Sequence, residues 1–305
     1  NNISGDNNTA VGRQAMTANT TADDSTAVGS LALTSNTTGA ENTAVGSSAL
    51  TANTTGFNNS ALGRCALYTN TEGDKNTAIG MSTLRCNLTG CSNTAVGYTA
   101  LLKNTASDNT AVGCGALICN TTGANNTGIG VQSLAANTTA DGNTAVGFET
   151  LKANTTGSRN IAVGVEALCT NTTGARNIAI GYESMCKNTE GSDNTAFGTN
   201  SLFSNTTASN NTALGRSALF ANTTGACNVA VGCGALVANT TASYNTAVGY
   251  YSLKTNITGA GNTGLGYRSL ELTTGDNNTG LGYEAGAATA GGEGNTEIGK
   301  TALCK

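Results

Sequence analysis

Asparagine is the residue of this sequence with the most opportunities for covalent modification, because it recurs in the motif N-x-[S/T] that accepts N-linked glycans. The sequence contains eighteen such motifs, and none is blocked by proline. Thirteen share position 12 of an internal repeat described below: Asn2, Asn19, Asn36, Asn53, Asn87, Asn120, Asn137, Asn154, Asn171, Asn205, Asn222, Asn239 and Asn256. Five precede a new copy of the repeat: Asn7, Asn58, Asn125, Asn210 and Asn277. The motifs predict exposed turns, some of which carry glycans.

A structural role is the alternative for the asparagines at position 12. Stacked asparagines form side-chain amide ladders and tolerate left-handed turns without any sugar. Asparagine also occupies position 12 where the glycosylation motif fails, at Asn70, Asn104 and Asn188. Both interpretations remain open at the level of the sequence.

The ten cysteines suggest disulfides rather than a metal centre. Their spacing matches no zinc motif and histidine is absent, so the sequence predicts no metal site and no cofactor. Disulfide candidates are the pairs Cys169 and Cys186, Cys86 and Cys91, and Cys227 and Cys233. The first pair occupies the same position in adjacent copies, which stacking would bring within bonding distance. Free buried thiols are the alternative. Cysteine pairs and glycan acceptors together favour an oxidising, extracellular environment.

Catalysis finds no support in the remaining residues. Histidine, the commonest base for activating a nucleophile, is absent, and acidic residues such as Asp23, Asp74 and Asp141 stand near copy junctions, as in solvated turns. The sequence therefore predicts no enzyme and no catalytic or cofactor-binding residue. Fourteen scattered basic residues and a formal net charge of −4 argue against nucleic acid, and no apolar run suggests a membrane span.

Five tyrosines share position 6 of the repeat, and the last three fall in consecutive copies: Tyr98, Tyr182, Tyr250, Tyr267 and Tyr283. Stacking of the rings on one another is the favoured interpretation. An exposed strip that stacks on sugars is the alternative.

An internal repeat organises all of these residues. Its consensus is N-T-A-V-G-x-x-A-L-x-x-N-T-T-G-A-x, numbered 1 to 17, and we call each copy a rung. The step is 17 residues except after the rungs at 93 and 262, where it is 16. The sequence predicts a single repeat domain over residues 1–305. Rungs begin at residues 8, 25, 42, 59, 76, 93, 109, 126, 143, 160, 177, 194, 211, 228, 245, 262, 278 and 295.

The rung pattern predicts an all-β fold, a parallel β-solenoid of about eighteen rungs that forms an elongated rod. Positions 2 and 4 are expected to face inward at the strand period of two, because isoleucine or valine replaces Thr at position 2 in three rungs and position 4 is always apolar. The invariant glycine at position 5 predicts a bend, and the leucine at position 9 a second core anchor. Positions 6–10 are expected to be extended or irregular, with a short helical turn as the alternative.

The phrase N-T-A-V-G followed by small residues resembles the head repeats of trimeric autotransporter adhesins, and also repeats of phage and viral tail-fibre-like proteins. The resemblance runs from Asn8 to Lys305. It implies a parallel β-roll, association of three chains and a surface that binds cells or matrix. The adhesin head repeat is shorter, at about fourteen residues, and no coiled-coil stalk or membrane anchor is visible here.

These observations favour a structural protein, an extracellular fibre or adhesin shaft on a cell or virion surface. The two chain ends, "NNISG" and "TALCK", are expected to complete one broken rung when copies stack head to tail into a filament. The alternative is a ligand-binding solenoid surface for ice or glycans, because threonine recurs at positions 2, 13 and 14. Inward-facing threonines at position 2, and glycans on a flat face, would count against ice.

Overall fold

The structure, a computed structural model, describes residues 2–288 and 290–303 and divides the chain into two compact units, Asn1–Thr156 and Gly157–Lys305. Each rung contributes one three-residue strand at positions 2 to 4. The first unit contains β1 Thr9–Val11, β2 Thr26–Val28, β3 Thr43–Val45, β4 Ser60–Leu62, β5 Thr77–Ile79, β6 Thr94–Val96, β7 Thr110–Val112, β8 Thr127–Ile129 and β9 Thr144–Val146. The second contains β10 Ile161–Val163, β11 Ile178–Ile180, β12 Thr195–Phe197, β13 Thr212–Leu214, β14 Val229–Val231, β15 Thr246–Val248, β16 Thr263–Leu265, β17 Thr279–Leu281 and β18 Thr296–Ile298.

Within each unit, every strand pairs in parallel with the next one along the chain. The register places identical rung positions opposite one another, as where Ala27 pairs with Ala44 and Ala196 with Ala213. Each unit is therefore a parallel β-solenoid, and the predicted fold class is confirmed. The predicted end-to-end junction includes residues 1, 304 and 305, which lie outside the described residues.

Hydrogen bonding between rungs continues well beyond the short strands. In the third rung, the N–H groups of Gly46 and Ser48 donate to carbonyls of the preceding rung, at 2.8 and 2.9 Å. The N–H groups of Leu50, Ala52 and Thr54 donate to the following rung at 2.9 to 3.2 Å. Within each unit, an internal rung is thus joined to both neighbours along most of its length, which satisfies backbone groups that would otherwise be buried without partners.

Turns, rather than strands or helices, occupy positions 5 to 12. The Ala15 N–H closes a first turn on the Gly12 carbonyl at 3.4 Å, and the Asn19 N–H closes a second on the Met16 carbonyl at 3.3 Å. The described residues contain no helix, so the helical alternative for positions 6–10 is wrong and the irregular structure is confirmed.

Left-handed backbone recurs at three positions of the rung that carry side chains. Positions 7, 9 and 17 have positive φ, for example 60° at Ser48, 50° at Leu50 and 56° at Asn58. Asparagine tolerates this conformation, whereas for leucine it costs on the order of 1 kcal/mol. The burial of Leu50 and its hydrogen bond to the next rung offset that cost.

The inner and outer faces of the strands are the reverse of the sequence-based expectation. The alanine at position 3 faces inward and is fully buried in most rungs, while positions 2 and 4 face outward. Leucine at position 9 packs against position 3, since a Cβ added to Gly128 would lie 3.4 Å from Leu117 Cδ1. Only a small side chain fits under that leucine, which explains the restriction to Ala or Gly. The leucine prediction is confirmed: the described position-9 leucines from Leu33 to Leu270 are buried.

The glycine at position 5 makes the bend that the sequence predicts. Gly164 has a φ of +129°, a conformation that L-residues rarely adopt. A Cβ on Gly164 would lie 2.5 Å from the Gly181 carbonyl oxygen in the next rung. Conformation and close backbone approach therefore both require glycine.

Candidate functional site

The asparagines at position 12 line the interior of the rungs as an amide ladder. Asn53 is fully buried, and its Nδ2 donates to Asn36 Oδ1 and to the Gly56 carbonyl, both at 2.8 Å. Its Oδ1 accepts from Asn70 Nδ2 at 2.9 Å. The expectation that this column lies in exposed turns is therefore wrong, except at Asn2, which is exposed. The buried acceptor-motif asparagines are Asn19, Asn36, Asn53, Asn87, Asn120, Asn137, Asn154, Asn171, Asn205, Asn222, Asn239 and Asn256.

A second buried amide column at position 1 accompanies the first, and sequence reasoning assigned it no role. The Asn59 N–H donates to Asn42 Oδ1 at 2.9 Å, and Asn42 Nδ2 donates to the Gly56 carbonyl at 2.7 Å. The Gly56 carbonyl thus accepts one hydrogen bond from each column. The signal was available in the sequence, because every rung except the one at Ser25 begins with asparagine. Ser25 Oγ accepts the same bond from the Asn42 N–H at 3.2 Å.

The asparagines at position 17 lie on the surface, in contrast to both inner columns. Asn58 and its equivalents have φ between 56° and 62°, a left-handed conformation that asparagine tolerates. Their side chains are accessible, so they can accept a glycan without disturbing the interior. The exposed acceptor asparagines of this column are Asn7, Asn58, Asn125, Asn210 and Asn277.

Threonine and aliphatic side chains form the outer face of the strands. Position 2 presents mostly threonine. Position 4 presents Val, Leu or Ile, with Phe197 as the exception, and Leu62 and Ile129 are 50% and 39% exposed there. Parallel pairing stacks each side chain on its counterpart in the next rung. Within each unit this face is a regular array of hydroxyl and methyl groups.

The threonine hydroxyls at position 13 are used within the solenoid. Thr37 Oγ1 donates to the Thr54 carbonyl and Thr54 Oγ1 to the Thr71 carbonyl, each at 3.0 Å. Position 13 is therefore part of the scaffold, whereas position 14 is exposed, as at Thr122.

The three consecutive tyrosines stack on one another, as the favoured interpretation holds. Ring centroids are 5.5 Å apart between Tyr250 and Tyr267 and 4.9 Å between Tyr267 and Tyr283, with interplanar angles of 9° and 12°. Arg268 and Lys300 lie near the rings of Tyr267 and Tyr283. Neighbouring rings therefore cover part of one another's faces.

Three of the acidic side chains near the rung junctions accept hydrogen bonds from backbone N–H groups of the preceding junction. Asp23 Oδ1 accepts from the Asp6 N–H at 2.7 Å, and Asp74 Oδ1 from the Phe57 N–H at 2.9 Å. Asp141 Oδ1 accepts from the Ala124 N–H at 2.7 Å. Each of these carboxylates thus links its rung junction to the preceding junction by a hydrogen bond.

Of the three predicted cysteine pairs, the structure brings one together. Cys169 Sγ and Cys186 Sγ are 2.6 Å apart. No sulfur–sulfur contact joins Cys86 to Cys91, or Cys227 to Cys233, among residues 2–288 and 290–303. Disulfides at these positions remain predictions.

Two glutamates lie near the sulfur pair. The ligand atoms of Glu166, Cys169 and Cys186 all lie within 4.8 Å of one another. Glu183 lies nearby and accepts a hydrogen bond from Asn200 Nδ2 at 3.0 Å. The pKa of the Cys186 thiol is raised, first by its hydrogen bond with Cys169, then by burial and by the negative charge of Glu183 and Glu166.

The fold and these surfaces define the chain as a tandem-repeat β-solenoid protein. No helix of the described residues is long and apolar enough to cross a membrane, and no pocket is found on them. No protein-family model matches the chain, and a search of characterised proteins finds no significant match.

Proposed function

We propose that this chain is a structural protein, part of an extracellular fibre or adhesin shaft on a cell or virion surface. The observation that supports this most directly is that adjacent rungs are joined by the same set of hydrogen bonds throughout the repeat. Each internal rung donates and accepts backbone hydrogen bonds on both sides, and the buried amide columns repeat the same bonds from rung to rung. Such a scaffold lengthens by adding copies. The resemblance to adhesin head and tail-fibre repeats supports the same proposal.

Deletion of whole rungs tests the scaffold function. Removal of residues 42–58, one rung of 17 residues, joins residue 41 to Asn59 and preserves the order of positions. We expect a folded, shorter solenoid with the circular dichroism spectrum of the parent. Removal of residues 42–50 alone should unfold the neighbouring rungs, because strand and turn positions then fall out of register. If both deletions have the same effect on folding, the repeat is not modular.

Localisation tests the extracellular assignment. Antibodies against the chain should label fibres or an outer surface when native material is imaged by immunoelectron microscopy. Diffuse labelling of the cell interior would overturn the assignment. Sedimentation of the purified chain tests the predicted self-association, whether as a head-to-tail filament or as a trimer.

Glycans, where present, belong on the exposed asparagines. A buried position-12 amide already makes several hydrogen bonds, so a glycan there would be incompatible with the folded rung. The proposal is therefore restricted to Asn2 and to the five exposed position-17 asparagines. Peptide mapping of native material should find sugar on this set alone. An unmodified mass of 30.1 kDa would remove glycosylation from the proposed function.

Ice binding is the second candidate, favoured by the outward direction of position 2. The sequence pattern predicts that the position-2 threonines face inward, which would count against ice, and that prediction is wrong. Most of the asparagines expected to carry glycans are buried, so glycans on a flat face also count less against ice. The outer face of each unit presents threonine hydroxyls and aliphatic groups at the regular strand spacing of about 4.8 Å.

Thermal hysteresis of the purified chain separates the two candidates. If ice is the ligand, Thr110→Lys and Thr127→Lys on the strand face should abolish the hysteresis. Thr122→Lys, at exposed position 14 of the Thr110 rung, is the matched control and should retain it. A wild-type protein without hysteresis rules out the ice candidate and leaves the structural one in place.

A further inference from the structure

We propose that Glu166, Cys169 and Cys186 form a binding site for a thiophilic divalent metal ion of the zinc class. The two cysteines occupy position 10 of adjacent rungs, so parallel stacking places their sulfurs side by side. Glu166 belongs to the same rung as Cys169 and lies three residues before it, within the turns at positions 5 to 12. The three ligand atoms therefore converge on one point although the sequence shows no zinc motif.

The chemistry of this donor set suits zinc or cadmium. Thiolates are soft ligands that favour these ions, and carboxylates complete mixed sites of this kind. Zn–S bonds of about 2.3 Å hold two sulfurs roughly 3.8 Å apart in a tetrahedral site. The half-buried thiols, 2.6 Å apart here, therefore separate by about 1.2 Å on binding, through rotation of their side chains. Each thiol releases its proton to solvent as the metal–sulfur bond forms.

The electrostatic environment favours a cation at this point. Glu166 and Glu183 both bring negative charge toward Cys186. The nearest lysine in the sequence, Lys187, has its Nζ 4.9 Å from the centroid of the Phe203 ring. A divalent ion would offset the repulsion between two thiolates and these carboxylates. Water would fill the fourth position of the tetrahedron.

The other cysteines provide an internal comparison. Cys86, Cys114, Cys227 and Cys233 are exposed free thiols, and no other group of three metal-ligating side chains is found in the described part of the chain. Tight binding is therefore expected at one place, while isolated thiols bind weakly.

Titration of the reduced, full-length protein with Cd²⁺, followed by ultraviolet thiolate-to-cadmium charge-transfer absorption, tests the proposal. Wild type should bind one equivalent more tightly than any other, with competition by Zn²⁺. The double variant C169S/C186S should lose that equivalent, and E166Q should weaken it by at least about tenfold. C227S/C233S is the matched control and should bind as wild type does.

Folding of each variant is checked by circular dichroism. E166Q keeps both thiols and replaces a half-exposed surface group, so it decides the question even if the double variant unfolds. Equal cadmium binding by wild type, E166Q and C169S/C186S would overturn the site. So would a reduced wild-type protein that returns to a Cys169–Cys186 disulfide and binds no cadmium.

Discussion

The inner lining of the rungs contains buried polar side chains, and the outer face of their strands contains exposed apolar ones. This is the opposite of the usual arrangement, in which apolar side chains are buried and polar ones are exposed. Two columns of amide side chains lie in the interior beside the alanine and leucine core, where Asn188 is fully buried, while the outer face carries aliphatic groups such as Leu214, which is 37% exposed. The lining is polar because each asparagine finds a partner in the identical residue of the next rung, so its burial leaves few hydrogen bonds unmade. Repetition thus makes a polar interior stable.

The outer face is apolar for a related reason. Stacking in register lets each β-branched or aliphatic side chain cover part of its neighbour. Val11, in a strand with one partner in the structure, is 58% exposed, whereas Val28, with a partner on each side, is 36% exposed. The face therefore gains stability from its own repetition while it stays accessible to solvent.

The largest expected effect on stability comes from a substitution at position 5, the glycine that makes the bend after each strand. Gly164→Val places a β-branched side chain at φ +129°, against the Gly181 carbonyl. We expect a loss of at least about 3 kcal/mol in the free energy of unfolding, from backbone strain and steric clash together. Chemical denaturation measures it.

Val165→Ala, at the next position, is the control for this substitution, because Val165 is 40% exposed. It should cost under about 1 kcal/mol. Equal losses from the two substitutions would show that the bend does not need glycine.

Two leucines of one rung compare the inside with the outside directly. Leu219 at position 9 is fully buried, whereas Leu214 at position 4 faces outward. Leu219→Ala should cost about 2–4 kcal/mol, because it leaves a cavity under the alanine column. Leu214→Ala should cost under about 1 kcal/mol. Comparable denaturation midpoints for the two variants would contradict the assignment of the faces.

Two asparagines compare the lining with the surface. Asn188→Ala removes amide bonds of 2.8 Å to Asn171 and 3.0 Å to the Gly191 carbonyl, and it deprives Asn205 Nδ2 of an acceptor. A loss of about 1–3 kcal/mol is expected. Asn210→Ala, at exposed position 17, should cost under about 1 kcal/mol, mostly from its left-handed φ of 62°. Thermal unfolding of both variants gives the comparison.

The sequence was sufficient to predict the period, the parallel stacking, the glycine bend and the leucine core. These features depend on residue types that tolerate few alternatives, such as Gly164 at a positive φ. The faces of the strand were misassigned because an apolar residue at position 4 was interpreted as buried. The leucine at position 9 leaves room only for a small inward-facing side chain on the strand. Position 3, which is Ala or Gly in every rung but the last, therefore faces inward, although position 4 is more hydrophobic.

Other features lay beyond the sequence for physical reasons. The positive φ of Leu50 and its equivalents has no residue signature, since leucine disfavours it and only tertiary bonds enforce it. One buried acidic side chain could have been found by comparing two departures from the consensus in adjacent rungs. Glu297 stands at position 3 and is 2% exposed, and Gly286 replaces the leucine at position 9 in the preceding rung. The Glu297 carboxylate occupies the space that the missing leucine leaves.

The smallest expected effect concerns charge on the outer surface, where Arg176 and Asp193 occupy position 17 of adjacent rungs. Arg176 Nε and Nη2 donate to the two oxygens of Asp193 at 2.6 and 2.8 Å. These hydrogen bonds, with the positive charge of Arg176, hold the pKa of Asp193 below its usual range. A carboxyl group whose pKa is lower in the folded state than in the unfolded state stabilises the folded state. This stabilisation is complete at pH values above the unfolded-state pKa, and it is lost as the pH falls through the folded-state pKa.

Asp193→Asn should therefore lower the melting temperature slightly at neutral pH, and the difference from wild type should vanish in acid. The effect is small because both side chains are exposed, and added salt should reduce it further. Asp108→Asn is the matched control, since Asp108 also occupies position 17 with φ 61° and has no ion pair among the described residues. It should melt close to wild type at neutral pH. A deficit of Asp193→Asn that grows as pH falls would show that the ion pair does not stabilise the fold.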